Sequence, residues 1–303
     1  MNYPALAPTL AGMKRLLARF AICLLLLLLP AVAIARPALW VVKGADTTIY
    51  LFGTVHLLPN DTAWHYPALD KAMADSQTLY IEVADDNPAN MATLVFQYGM
   101  DTEHPLPILL KPAELLQLNA AANKAGVPGG MPTLSMMRPW LAALTLATAP
   151  LMKTGTRLDP EHGVDKQLKA QATGADKQVL GLETAEQQIR FLADMPQSVE
   201  LAFLRSSIRD VGKGTIELTE LIDAWKNGDV ATIARLEDED IRQTEPKLYE
   251  RLLVQRNGIW AGKIAAMLQQ PGTIFIAVGA AHLAGPDSVQ AQLQKLGIDA
   301  VRQ

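Results

Sequence analysis

The sequence predicts an α/β fold with a central mixed or largely parallel sheet, helices around it and a large helical insertion. Four short runs rich in β-branched, aromatic and aliphatic residues are typical of buried strands: residues 47–52, 79–83, 178–182 and 273–278. Helical patterns separate these runs, and a strand–helix–strand order favours parallel pairing. Because ligand sites in open α/β sheets lie beyond the carboxyl ends of the strands, these four strand ends should mark the functional edge.

Residues 1–35 have the three parts of a secretory signal peptide. Three basic side chains within residues 14–19 precede an apolar run at 21–29, and the small residues at 33 and 35 match a cleavage site. The apolar run is shorter than the roughly 20 residues that a transmembrane helix needs. We therefore expect cleavage after Ala35, a periplasmic or secreted protein and no stable membrane span afterwards. An uncleaved anchor is the alternative, and Met13 is an alternative start.

The mature chain is expected to be a single acidic domain without cysteine. It would keep 268 residues with 24 basic and 31 acidic side chains, a formal charge of −7, which argues against nucleic acid as a partner. The only cysteine, Cys23, lies in the signal peptide. Disulfides, thiolate ligands and a cysteine nucleophile are therefore excluded. Residues 36–303 should form one α/β domain with a helical insertion at about 89–175 and a helical block at about 197–270.

Two of the predicted strands end in the same histidine motif. Residues 40–43 and 47–52 predict a β-hairpin, and the second strand runs into Gly-Thr-Val-His, which ends at His56. The strand at 273–278 runs into Gly-Ala-Ala-His, which ends at His282, and a leucine follows each histidine. A glycine that closes a buried strand places the histidine just beyond the sheet. We expect the fold to bring both imidazoles together.

The other two strands each carry a glutamate. Glu82 lies within or at the end of an apolar strand, where a carboxylate needs a partner. Its alternative is a solvent-facing position on an edge strand. Glu183 lies at the carboxyl end of its strand, and Thr184 after it is a plausible helix N-cap. A structural interaction with that helix N-terminus is therefore the alternative to a catalytic role for Glu183.

The remaining segments are mostly helical. His65, His104 and His162 lack the strand-plus-glycine setting and are expected to be ordinary surface or loop histidines. A last strand is expected at residues 298–301. The periodic patterns predict helices at 67–75, 89–98, 112–125, 139–149, 164–172, 197–209, 215–227, 230–237, 246–269 and 285–296.

Two charged features lie in the second helical block. The four consecutive acids at residues 237–240 would point in different directions on a helix, so we expect a solvated turn rather than a metal site. Arg256 and Trp260 are four residues apart and share a helix face, which can hold a guanidinium beside an indole. Arg256 could clamp a carboxylate or bind developing negative charge. Ion pairing with Glu250 or another surface acid is the alternative.

Together these motifs resemble the TraB/PrgY/GumN family, which includes the TIKI-type Wnt-inactivating metalloproteases. The resemblance covers nearly the whole mature chain and implies an α/β core with a helical insertion and, in the TIKI branch, a divalent-metal peptidase. His56 and His282 match the two histidines of the family motif, and Glu82 and Glu183 lie where the family pattern has acids. The segments on which the resemblance rests are Gly53-Thr54-Val55-His56, Ile81-Glu82-Val83, Gly163-Val164-Asp165, Gly181-Leu182-Glu183-Thr184, Arg256-Asn257 and Gly279-Ala280-Ala281-His282 with Leu283 and Gly285.

The residues independently allow a metal site. The imidazoles of His56 and His282 with the carboxylate of Glu82 form a reasonable three-ligand set that leaves a position open for water. Manganese, cobalt or zinc is expected rather than calcium, because imidazole suits transition metals and oxygen-only sites suit calcium. A bound metal would lower the pKa of its water toward about 7.

The same pattern suggests the remaining catalytic groups. Glu183 could act as the general base, and Arg256 could stabilise the oxyanion, with Asn257 beside it as a further candidate. The sequence has no His-Glu-x-x-His, no Gly-x-Ser-x-Gly and no phosphate-binding glycine pattern, so zincins of the ordinary type, serine hydrolases of the elbow type and P-loop enzymes are excluded.

Two functions from different classes remain open at this point. The first is an exported metal-dependent hydrolase, with peptidase as the preferred activity and a peptide or small molecule as substrate. The second is a non-catalytic periplasmic protein that binds a peptide, a metal complex or haem in the same cleft. Analogy at the level of the fold does not separate them.

Overall fold

The computed structural model describes residues 35–85, 87–152, 158–211 and 214–303. The predicted signal peptide therefore lies outside the described residues, apart from its last position. Within the described ranges, no helix has both the length and the apolar character that crossing a bilayer requires.

The strands form a central sheet and one small accessory pair. In chain order they are β1 (Leu39–Lys43), β2 (Thr47–Thr54), β3 (Leu58–Pro59), β4 (Thr78–Val83), β5 (Leu158–Asp159), β6 (Gln178–Glu183), β7 (Gly272–Gly279) and β8 (Ala300–Arg302). Six of them build the central sheet in the order β6-β4-β7-β2-β1-β8, and β3 pairs with β5. The neighbours β6, β4, β7 and β2 are parallel, whereas β1 is antiparallel to β2 and β8. This mixed, mostly parallel sheet confirms the predicted α/β fold class.

The two central strands carry the two histidine motifs. Strands β2 and β7 pair in parallel along their full length, with Gly53 opposite Val278 and Thr54 opposite Gly279. Both histidines therefore follow the same edge of the sheet, on adjacent strands. The carbonyl of Gly53 accepts a 2.7 Å hydrogen bond from the indole N–H of Trp225, which fixes the end of β2 from outside the sheet.

Helices cover both faces of the sheet and form a separate helical region. In chain order they are α1 (Pro67–Asp75), α2 (Pro88–Gly99), α3 (Leu106–Leu109), α4 (Pro112–Ala125), α5 (Gly130–Ser135), α6 (Pro139–Thr148), α7 (Val164–Gly174), α8 (Ala185–Ala193), α9 (Gln197–Asp210), α10 (Gly214–Lys226), α11 (Val230–Ala234), α12 (Asp240–Thr244), α13 (Pro246–Tyr249), α14 (Gln255–Met267) and α15 (Val289–Lys295). Five of them begin with proline, whose missing N–H costs nothing in the first turn.

Alternation along β2 divides the core into two layers. Ile49 and Leu51 face a cluster built on α14 and α15, whereas Phe52 faces a cluster built on α1, α7 and α10. Phe52 contacts Trp64 and Trp225 with ring centres 6.0 and 6.3 Å away. Burial of both faces explains why the strands are apolar in sequence at consecutive positions rather than at alternate ones.

The helical region has its own core and polar ties. Helices α4, α5, α6 and α9 enclose a separate apolar cluster. Arg138, just before α6, donates to the carbonyl of Tyr98 at 3.0 Å and to that of Ala193 at 2.7 Å, and it pairs with the carboxylate of Glu200. These contacts connect α2, α6, α8 and α9 at one point.

Two predicted helices differ from a uniform α-helix. Residues 230–244 and 246–267 each keep helical backbone throughout, but each contains a π-helical turn, at Arg235–Glu239 and at Glu250–Val254. The turn expected at residues 237–240 is therefore wrong, since these acids lie within the first of these helices, although Glu237, Glu239 and Asp240 are exposed to solvent as expected. Asp238 is buried with 3 % of its surface exposed, because the π turn directs it into the protein.

Candidate functional site

The three residues predicted to bind metal converge beside Gly279, at the carboxyl ends of β2, β4 and β7. A methyl group on Gly279 would lie 3.1 Å from Glu82 Oε1, 3.6 Å from His282 Cδ2 and 4.0 Å from His56 Nε2. The backbone N–H of Gly279 donates to Glu82 Oε1 at 2.8 Å. Glycine is needed here because a side chain would fill the space that the two imidazoles and the carboxylate share.

Arg256 on α14 is the central cation of the site. Its Nη2 donates to Glu82 Oε2 and to Glu183 Oε1, both at 2.6 Å, and its Nε donates to Glu183 Oε2 at 3.2 Å. Its Nη1 lies 3.1 Å from His282 Nε2. The guanidinium carbon lies 4.7 Å from the ring centre of Trp260, as the shared helix face predicted. These buried partners take the place of the surface pair with Glu250.

His282 is held in one orientation by Asn257. The Nδ1 atom of His282 lies 2.6 Å from Asn257 Oδ1, and Asn257 Nδ2 donates to the carbonyl of Asp287 at 2.8 Å. Because the amide nitrogen of Asn257 is used as a donor, its oxygen accepts, and His282 carries its proton on Nδ1. Burial lowers the pKa of His282 to about 3, so the imidazole is neutral with the Nε2 lone pair directed at Arg256.

His56 is held in a similar way by Asp165 on α7. The two side chains meet with His56 Nδ1 3.1 Å from Asp165 Oδ1. Helix α7 begins at this point because Val164 N–H donates to the carbonyl of Val55 at 2.9 Å, and Gly163 packs so close to the carbonyl of His56 that a methyl group would lie 2.6 Å from it. The hydrogen bond with Asp165 raises the pKa of His56, and desolvation by the surrounding protein opposes this rise.

The two glutamates have different surroundings. Strand β4 lies between β6 and β7, so Glu82 is on an interior strand rather than an edge strand. Burial opposes its ionisation, yet His282, Arg256 and the N–H of Gly279 together lower the pKa of Glu82 to about 2. Burial raises the pKa of Glu183, whose two oxygens both accept from Arg256. A general-base role for Glu183 would require one of these oxygens to leave Arg256.

The helix N-cap predicted at Thr184 is present as well. Its hydroxyl accepts from Gln187 N at 3.1 Å, and the Gln187 side chain accepts from Thr184 N at 2.9 Å, which forms a capping box at the start of α8. The cap belongs to Thr184, so the carboxylate of Glu183 is used for Arg256 instead. Gln188 on the same helix donates to Glu82 Oε2 at 3.2 Å.

A cleft of about 700 Å³ opens above these groups. Its floor includes His56, Glu82, Arg256 and His282, and its walls are mainly apolar side chains of α2, α6, α8 and α10. Glu183 is not among the described residues that line it. A second cavity of about 240 Å³ lies near α6, α9 and α12 but includes none of the predicted site residues. We therefore place the site at the strand ends, where convergent polar groups meet an apolar cleft.

The donor chemistry of the site fits a transition metal, although the side chains are not gathered around one point as they stand. Within the described parts of the chain, no group of three histidine, cysteine, aspartate or glutamate side chains is close enough to hold an ion. His282 Nε2 lies 3.9 Å from Glu82 Oε1. Each imidazole has its Nδ1 held by an oxygen, as metal-binding histidines usually do. Coordination would require Arg256 Nη1 to leave His282 Nε2.

The three histidines that were expected to be ordinary surface or loop residues lie outside the cleft. His65, His104 and His162 pair with Asp70, Asp101 and Asp159 at 2.6, 3.5 and 3.0 Å, and none of them is among the described residues that line the cleft. Three further side chains contribute to the site in roles that were not predicted, although Asp165 belongs to the Gly163-Val164-Asp165 motif. These are Asp165 as the partner of His56, Gln188 as a donor to Glu82, and Glu237 in the cleft wall.

Comparison with known proteins places the chain among bacterial relatives without an assigned activity. It is 27% identical over 266 residues to an uncharacterized protein, YbaP, of Escherichia coli K12, and the match covers 85% of this chain and 92% of that protein. A YbaP protein of Shigella flexneri matches with the same identity and coverage. No solved structure matches the chain significantly. The sequence model of the TraB/PrgY/gumN family matches residues 38–302, and the chain belongs to this family.

Proposed function

We propose that this protein is an exported, metal-dependent hydrolase that acts on peptides, with His56, Glu82 and His282 as the metal ligands. One observation carries the proposal. Two imidazoles that follow adjacent parallel strands have their Nδ1 atoms held by Asp165 and Asn257. The Nε2 atom of His282 lies 3.9 Å from Glu82 Oε1, and that of His56 borders the same space beside Gly279 at the floor of the cleft. When bound, manganese, cobalt or zinc would supply Lewis-acid activation of the scissile carbonyl and of water.

The chain's own residues orient the site in this proposal. Asn257 fixes the His282 ring, and Asp165 fixes the His56 ring, so little ordering is left for the moment of binding. Arg256 donates to both Glu82 and Glu183, so its single positive charge lies between the two buried carboxylates and reduces their mutual repulsion. We assign Glu183 a positioning role through Arg256, since both of its oxygens are already used there.

A specific contact favours the second candidate, a non-catalytic binding protein. The hydrogen bond between Arg256 Nη1 and His282 Nε2 occupies the lone pair that a metal would take. If that contact persists in solution, the cleft would bind a peptide between its apolar walls without turnover. A chelator would then leave ligand binding unchanged.

Metal titration of the purified protein tests the proposal directly. Calorimetry with Mn²⁺, Co²⁺ and Zn²⁺ should show one equivalent bound by the wild type, and His56→Ala and His282→Ala should each lose it. His65→Ala is the matched control, because His65 pairs with Asp70 outside the cleft. Circular dichroism melts check that each variant is folded. The proposal is wrong if the wild type binds none of the ions tightly or if the two cleft variants bind them as well as the control.

Turnover is tested on a quenched-fluorescence peptide library with and without chelator. Glu183→Gln separates its two roles. If Glu183 is the general base, the variant should lose about 10²–10⁴-fold in kcat and bind metal as the wild type does. If Glu183 positions Arg256, the variant should also bind metal more weakly, because Arg256 would shift relative to His282. Library cleavage that persists in chelator would contradict metal dependence.

A further inference from the structure

We propose that the cleft selects substrates with a positively charged side chain on an aliphatic stem, and that Glu237 binds this charge. The inference deepens the proposed hydrolase function, because it rests on that function for what happens to the peptide after binding. The recognition itself needs only the cleft and its charges.

Glu237 lies in the cleft wall, whereas its neighbour in the same turn, Asp238, is buried. It belongs to the π-helical turn Arg235–Glu239 and lines the same cleft as His56, Glu82 and Arg256. Asp238, one residue later, is directed into the protein with 3 % of its surface exposed. Glu237 itself is exposed to solvent through the cleft. The widened turn thus presents one carboxylate to the cleft, and π turns are frequent at functional sites.

The carboxylate of Glu237 lacks a partner within the described part of the chain. It takes part in no hydrogen bond or ion pair there, unlike its neighbours in the same turn: Arg235 pairs with Glu220, and Glu239 accepts from Gln243. Desolvation by the cleft walls raises the pKa of Glu237, Glu217 raises it further, and His56 lowers it. An unpaired carboxylate beside low-dielectric protein walls gains more from an incoming cation than one in open water.

The other charges of the cleft favour a cation over an anion. Among the described lining residues the cationic side chains are Arg256 and, when protonated, His56. Arg256 is bound by Glu82 and Glu183, and His56 is paired with Asp165. An acidic ligand would therefore find no unpaired cation among these residues, whereas a basic ligand would find a free carboxylate.

The apolar walls of the cleft explain why the charge should be carried on an aliphatic stem. Leu218 and Leu221 of α10 and Leu252 of the second π turn line the same cleft. Lysine and arginine side chains cover apolar surface with their methylene groups while their charged ends reach a polar partner. The combination points to peptides that contain lysine or arginine.

Binding of three dye-labelled peptides tests the inference. The peptides share one apolar sequence and carry two central residues that are lysine, N-acetyl-lysine or glutamate. Fluorescence anisotropy is measured on wild type, Glu237→Gln and Glu239→Gln. The last is the matched control, since it removes the same charge from the same turn outside the cleft. Each protein is treated with chelator so that binding is measured without turnover, and its melting temperature is recorded.

The expected result is that the wild type and Glu239→Gln bind the lysine peptide about 10- to 100-fold more tightly than the acetylated one. Glu237→Gln should remove this difference and should melt no lower than the wild type, because Glu237 has no partner to lose. The inference is overturned if the lysine peptide does not bind the wild type, if wild type binds the lysine and acetylated peptides equally, or if both variants lose the preference to the same degree.

Cleavage of the same peptides by the metal-loaded protein separates this inference from the proposed function. Charge-dependent binding through Glu237 with no cleavage of any peptide would refute the hydrolase and leave the recognition standing. Cleavage of all three peptides at equal rates, with equal binding, would refute the recognition alone.

Discussion

Replacing Asp238 with asparagine should make the protein more stable at neutral and alkaline pH. Asp238 is 3 % exposed, and its Oδ1 atom has no hydrogen-bond partner among the described residues. Burial raises its pKa to about 7, the nearby carboxylates of Glu237 and Asp287 act in the same direction, and Arg242 opposes them. An amide has the shape of the protonated acid and, like it, both a donor and an acceptor, but it never ionises.

The direction of the pH effect follows from proton binding. Unfolded aspartate titrates near pH 3.9, so between about pH 4 and pH 7 the folded protein holds a proton on Asp238 that the unfolded chain has lost. The free energy of unfolding therefore falls as the pH rises through this window and is constant, for this group, above it. A rise of the pKa from 3.8 to about 7 corresponds to at most roughly 4 kcal/mol.

Urea unfolding at pH 4.5, 6, 7 and 8 measures this effect. Asp238→Asn should have nearly the wild-type stability at the lowest pH and exceed it by up to roughly 4 kcal/mol at pH 8. Asp240→Asn is the control, because Asp240 is exposed on the same helix and its substitution should shift stability little at every pH. Parallel stability curves for wild type and Asp238→Asn, or a less stable variant at pH 8, would refute the reasoning.

Three further predictions concern the site and the N-terminus. Arg256→Met should lower the free energy of unfolding by about 3–5 kcal/mol at pH 7, because Glu82 and Glu183 would stay buried without their cation; urea titration measures this, and a loss below about 1 kcal/mol would contradict it. Gly279→Ala should keep its melting temperature, since its φ of −49° suits alanine, but should lose metal binding in calorimetry because the methyl group would lie 3.1 Å from Glu82 Oε1. The exported protein should begin at Arg36, and an intact mass of the periplasmic fraction that still includes residues 13–35 would rule out cleavage.

The sheet and its histidines were predictable because their signals are local. Each parallel strand is a short apolar run, and a glycine marks where the strand ends. The position of His56 beside His282 then follows from the rule that parallel strands align their carboxyl ends. The only further information that the structure supplies is that β2 and β7 are direct neighbours in the sheet.

The charge network was not predictable because its partners come from distant elements. Arg256 binds Glu82 and Glu183, which are 174 and 73 residues away in sequence. No periodic pattern connects α14 with the ends of β4 and β6, so the surface pair with Glu250 was a reasonable alternative. The docking of Asp165 against His56 likewise depends on how α7 packs against the end of β2.

The π turns explain why the burial of Asp238 differs from the prediction for residues 237–240. A regular 3.6-residue period directs successive acids at residues 237–240 around the helix, and nothing in their composition shows which one enters the protein. A π turn contains one extra residue, which rotates the side chains that follow it around the helix axis. Asp238 is consequently buried while Glu237 faces the cleft, and a sequence pattern read with a fixed period does not contain that distinction.

The parallel pairing of β2 with β7 has a consequence for how the molecule assembles. Paired positions are 225 residues apart, so this contact contributes strongly to a high contact order and must wait for nearly the whole chain. A polypeptide still emerging from the ribosome has its first histidine early but neither the neighbouring central strand nor the second histidine. A fragment that stops before β7 therefore cannot form the candidate site, whatever the order in which the rest of the sheet pairs.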